Sequence, residues 1–161
     1  MIELDRTLQL LLGNNVALVI VGGVAESLYG SSSGGMKLEV LCDISQTNLT
    51  HLGRLLADIH ARPRGEPAGQ AIELKTLVQS DKICRLTTDL GDLDIMGEVA
   101  GIGGYEHVRV RASIVSLSGR DCPVLSLDGL IAARRAAGRA IDLQVLPELE
   151  AIREAQEPEK T

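Results

Sequence analysis

Six consecutive apolar residues, Val16-Ala17-Leu18-Val19-Ile20-Val21, run into the pair Gly22-Gly23. A stretch of that length with no polar residue has no wet face, so it reads as a strand buried on both sides. It is far too short to cross a bilayer. The core around it must be aliphatic, because the chain has two Tyr and no Phe or Trp. That scarcity leaves almost no room for base stacking on aromatic platforms as a binding mode. A formal charge of −6 argues in the same direction against extensive, phosphate-tracking contact with nucleic acid.

The rest of the pattern is that of an α+β chain. Leu4, Leu8, Leu11 and Leu12 recur at helical spacing and stop at Gly13-Asn14. A short helix is expected over Val24 to Tyr29, followed by the loop Gly30-Ser31-Ser32-Ser33-Gly34-Gly35. Residues 37–43 alternate as a strand, with Lys37, Glu39, Leu41 and Asp43 on one side. Ser45 caps a helix whose apolar face is Leu49, Leu52, Leu55, Leu56 and Ile59. Residues 62–69 read as a loop, 71–79, 82–88 and 92–96 as strands, and 113–117 as a short strand. Ser126 opens a helix that Gly138 closes, and a second helix begins near Arg139, with Pro147 where a new helical turn starts. One domain over residues 1–156 is expected, with 157–161 frayed.

Cys42, Cys84 and Cys122 are odd in number and lack zinc spacing, and the acidic N-terminus is a poor signal peptide. The expectation is a cytoplasmic chain with reduced thiols.

Three pieces carry chemistry. Gly22-Gly23, at a strand-to-helix corner, lets backbone N–H groups approach a phosphate, or else serves tight helix–strand packing. Lys37 and Glu39 point to one face, roughly 7 Å apart, either as part of a ligand site or as an ion pair. Asp92 and Asp94 also share a face, where like charges raise each other's pKa unless a cation lies between them. Asp92 has the alternative of turn chemistry after Gly91. Arg134, Arg135 and Arg139 either reach a triphosphate or form a solvated helix face matched to the dipole. Asp142 is the expected partner of Arg139. His51, His60 and His107 suggest no triad.

The order of these pieces resembles the nucleotidyltransferase fold shared by DNA polymerase β-like enzymes and minimal nucleotidyltransferases. The run VIVGGVAESLYGSSSGGMKLEVLCD is similar to that family's signature, in which a glycine pair precedes an Asp-apolar-Asp/Glu-apolar segment by about a dozen residues. Asp92-Leu93-Asp94 resembles its third-carboxylate strand. Leu127, Leu130, Ile131, Arg134, Gly138, Arg139 and Asp142 resemble the helical tail of bacterial, toxin–antitoxin-associated members.

The resemblance implies a mixed sheet flanked by helices, with a helical C-terminal segment. It also implies transfer of a nucleotidyl group from an NTP with Mg²⁺ or Mn²⁺. Glu39 and Asp94 would be catalytic, and Glu39, Asp92 and Asp94 would hold metal. Gly22, Gly23, Ser31, Ser32, Ser33, Lys37 and Arg134 would bind the nucleotide. One departure matters: Lys37 stands where the first metal-binding Asp belongs. Exchanging that attraction for a repulsion is worth about 4 kcal/mol for each unit-charge term at 4 Å and an effective dielectric near 20. Weak or lost activity is therefore expected. The alternative is a non-catalytic module that binds nucleotide, a protein partner or a second copy of the chain.

Overall fold

The computed structural model describes residues 1–32, 34–67, 69–78 and 82–156. In chain order the elements are α1 (Leu4–Gly13), β1 (Leu18–Val21), α2 (Gly22–Leu28), β2 (Leu38–Cys42), α3 (Gln46–Asp58) and β3 (Arg62–Pro63). Next come β4 (Ile83–Thr88), β5 (Gly91–Met96), the short pair β6 (Glu98–Val99) and β7 (Gly103–Gly104), and α4 (Tyr105–Arg109). The chain finishes with the hairpin β8 (Ala112–Leu117) and β9 (Arg120–Leu125), then α5 (Leu127–Ala137) and α6 (Ala140–Gln156).

Seven strands form one mixed sheet in the order β3-β4-β5-β2-β1-β9-β8. The apolar run supplies β1, buried at all four positions, between an antiparallel β2 and a parallel β9. β2 in turn runs parallel to β5. Leucine stripes hold α1 and α3 on the sheet: Leu8, Leu11, Leu52, Leu55 and Leu56 are all buried. Each such side chain removed from water contributes about 1.5–3 kcal/mol. Asn48 of α3 is a buried polar stitch. It accepts the Ala17 N–H at 2.7 Å and donates to the carbonyls of Ala17 and Asp43. No helix among the described residues is long and apolar enough to cross a membrane.

The elements expected from α1 to α3 are present, with α2 beginning two residues early, at Gly22. The strand expected over 71–79 is absent among the described residues there. Leu74–Val78 is a 3₁₀ turn, in which Thr76 returns its N–H and its hydroxyl to the Glu73 carbonyl. Such local bonds compete with a ladder and win where no neighbouring strand holds the backbone. Gln79 lies outside the described residues. The expected loop at 62–69 contributes the edge strand β3. β9 was not anticipated; Pro123 ordinarily demotes a strand, but the pairing of β9 with β1 is confined to Ile20 and Val124. The last helix passes through Pro147 as one element rather than restarting there.

Candidate ligand cleft

Register decides which charged groups meet. Val21 on β1 lies opposite Glu39 on β2, Glu39 opposite Asp94 on β5, and Asp94 opposite Arg85 on β4. Laterally aligned residues share a face of the sheet, so the two carboxylates singled out above sit side by side. This row floors a cleft of about 450 Å³. Gly22, Lys37 and Lys82 line it on the sheet side, and Leu130, Arg134 and Arg139 on the helix side.

Gly22 is at the corner for a steric reason. Its φ is +68°, and a Cβ there would lie 1.8 Å from Oε2 of Glu39. The carboxylate of Glu39 tucks into that space and accepts the Gly23 N–H at 2.9 Å. Gly23 is also crowded, since a Cβ would come 2.7 Å from the backbone N of Gly35. The glycine pair thus admits both a carboxylate and a passing loop.

Asp94 is almost fully buried, its side chain 3% exposed, and both of its oxygens are taken. Lys37 Nζ lies 2.8 Å from Oδ2, and Arg64 Nη2 donates to Oδ1 at 2.7 Å. Arg64 comes from the turn after β3. Its Nη2 also donates to the Leu86 carbonyl, and its Nε stands 3.3 Å from Oδ2 of Asp92. That last contact is an ion pair without hydrogen-bond geometry, since Nε has no hydrogen-bond partner. Asp92 also accepts from the Thr87 hydroxyl at 3.2 Å.

This donor set does not fit a pair of divalent ions. A metal bridging Glu39 and Asp94 would have to displace an ammonium and a guanidinium. Lys37 and Arg64 would repel the incoming dication, by about 4 kcal/mol for each unit-charge term at 4 Å and an effective dielectric near 20. No group of three or more His, Cys, Asp or Glu side chains among the described residues is arranged to hold a metal.

Arg134 lines the cleft with its charge already engaged. It makes a two-point contact with Glu26 of α2, at 2.7 and 2.9 Å, and reaches Asp142 of α6 at 2.8 Å. Both carboxylates are 1% exposed. Asp142 also takes Arg139 Nε at 2.7 Å and the Arg139 backbone N–H at 3.1 Å. Burial would raise the Asp142 carboxyl, but these hydrogen bonds from Arg139 and Arg134 outweigh it and hold the pKa at about 2. Hydrogen bonding to Glu26 raises the Arg134 guanidinium despite its desolvation.

The serines turn elsewhere. Ser32 donates its N–H and its hydroxyl to Glu148 of α6, at 2.5 and 2.9 Å, and Ser31 joins them. Those bonds, the Ser32 N–H first, keep Glu148 below the ordinary carboxylate range. Ser33 lies outside the described residues. The structure therefore brings together Gly22, Gly23, Lys37, Glu39, Asp92 and Asp94, and gives Ser31 and Ser32 to α6.

Sequence reasoning missed Arg64, Glu26 and Glu148. Glu26 carried a signal, as the only charge in a short helix of small and apolar residues. Arg64 and Glu148 carried none.

Three solved structures share this architecture over nearly the whole chain. The lincosamide antibiotic adenylyltransferase LnuA, in its lincomycin-bound form, superposes with a TM-score of 0.64 at 16% identity, covering 93% of this chain and 96% of its own. The chain has the nucleotidyltransferase fold. TM1012 of Thermotoga maritima, described as a nucleotidyltransferase, matches at 0.52 and 17% identity over 96% and 94% of the two chains. An antigenic nucleotidyltransferase-like protein from Paracoccidioides brasiliensis matches at 0.59 and 14%, covering 97% of this chain and 76% of that one. No protein-family model matches the sequence, and no curated protein matches it. The nucleotidyltransferase fold thus accounts for the strand order that places Glu39 beside Asp94.

Proposed function

We propose that this chain is a nucleotide-binding protein of nucleotidyltransferase fold, related to enzymes that transfer a nucleotidyl group from an NTP with divalent metal, in which transfer is weak or lost. The observation that carries this reading is the Lys37 ammonium on Asp94, the residue directly opposite Glu39 in the β2–β5 register. The cleft retains what a nucleotide needs apart from metal. It has an apolar wall at Leu125, Leu130 and Ala133, and exposed cations at Lys82 and Arg85 with no ion-pair partner among the described residues. Lys37 acts on phosphate as a point charge, and Mg²⁺ or Mn²⁺ is dispensable for binding. One of the neighbours in fold is an adenylyltransferase, which makes ATP the first nucleotide to try.

Calorimetry with each of the four NTPs, in EDTA and again in Mg²⁺, tests the proposal beside radiolabelled transfer to the chain itself, to protein and to RNA. The expected result is binding in EDTA, unchanged by Mg²⁺, with transfer at most marginally above a metal-free blank. Absence of binding by any NTP under both conditions overturns the nucleotide site. Rapid, multiple-turnover metal-dependent transfer that Asp94→Asn abolishes overturns the weakening or loss of activity.

A further inference from the structure

We infer that divalent cations are kept from Asp94 by two independent locks, Lys37 and Arg64, and that Arg64 alone suffices to keep them out. This deepens the reading of the cleft as a ligand site. Its test uses metal alone, so a cleft that fails to bind nucleotide leaves it standing.

Each cation takes a different oxygen of the same buried carboxylate, at 2.8 and 2.7 Å. They arrive from different parts of the chain, Lys37 from the residue just before β2 and Arg64 from the turn after β3. Arg64 is held without help from Lys37. Its backbone N–H donates to the Arg85 carbonyl at 2.9 Å, and its Nη2 to the Leu86 carbonyl at 3.0 Å. Its side chain is 27% exposed, against 40% for that of Lys37. The same guanidinium also stands against Asp92 at 3.3 Å, so it contacts both acids of the β5 pair. A dication approaching Glu39 and Asp94 meets a fixed positive group even when residue 37 is an acid. Arg64 is therefore a specificity-determining residue, placed by the β3–β4 edge rather than by the strand that carries the departure from the family signature.

The test compares the full-length chain with Lys37→Asp, Arg64→Gln, the double variant and Asp94→Asn. Each is titrated with Mn²⁺ alone, free ion is read by electron paramagnetic resonance, and folding is confirmed by circular dichroism. The unaltered chain is expected to hold no Mn²⁺ that depends on Asp94. The double variant gains a site at least about tenfold tighter than either single variant, a difference of about 1.4 kcal/mol, and adding Asp94→Asn removes it. Where the double variant does not fold, Lys37→Asn with Arg64→Gln removes both charges without adding an acid, and the same order of affinities is expected. Two results overturn the inference. One is Mn²⁺ held by the unaltered chain and released by Asp94→Asn. The other is a Lys37→Asp variant that binds as tightly as the folded double variant.

Discussion

A methyl group on Gly22 has two penalties to meet. A left-handed backbone costs an L-residue about 1–2 kcal/mol, and the new carbon would land on the Glu39 carboxylate, 1.8 Å from Oε2. The carboxylate can swing away, but only by releasing the Gly23 N–H. Gly22→Ala is therefore expected to lower stability by about 2–3 kcal/mol, read as a drop in the urea midpoint with unchanged slope. Glu39→Gln keeps the shape and should cost well under half of that. At the opposite end of the stability scale lies His60, exposed and 2.5 Å from Asp89. The hydrogen bond to Asp89, and then its charge, raise the imidazole above its usual 6.5. Any stabilisation from the pair is complete below pH 6.5 and fades as pH rises through the higher folded value. An NMR titration should show His60 titrating above 6.5, and Asp89→Asn should lower it.

Between elements, Arg134 couples buried charges of α2, α5 and α6. Arg134→Met leaves Glu26 and Asp142 buried without their shared cation, a loss of about 3–5 kcal/mol, measured by thermal or denaturant unfolding. Arg134→Lys should recover only part of it, since an ammonium cannot reproduce the fork on Glu26 and the arm to Asp142 together. Much of this layer was legible from the sequence. The Asp142–Arg139 pair follows from helical spacing, and the caps at Ser45 and Ser126 from residue type. The meeting of Glu39 with Asp94 followed from resemblance and alternation together. Arg64 was not legible, because nothing in RPRGEPAG says that its first two residues form a sheet edge and its third aims inward. The serine loop misled for a related reason: glycine and serine announce a backbone free to bend, and give no direction. Its partner, Glu148, lies 116 residues away.

For the molecule as a whole, acid is expected to act through the same buried network. Asp142 has a folded pKa of about 2 against 3.8 for the free group. Its contribution, of order 2 kcal/mol, is fully present above about pH 5 and is lost as pH falls from about 4 through about 2. Acid unfolding followed by circular dichroism should show this loss, and Asp142→Asn should flatten the curve in that window while lowering stability at neutral pH. The sheet order carries a different consequence. β1 is the most apolar strand, yet its second neighbour, β9, begins only at Arg120. On a ribosome, everything from β1 to Gly119 is made before that flank can be covered. Until then an unpaired aliphatic edge faces the crowded cell, so the protein's yield in a living host will depend on how fast translation delivers the closing hairpin and on the chaperones waiting beside it.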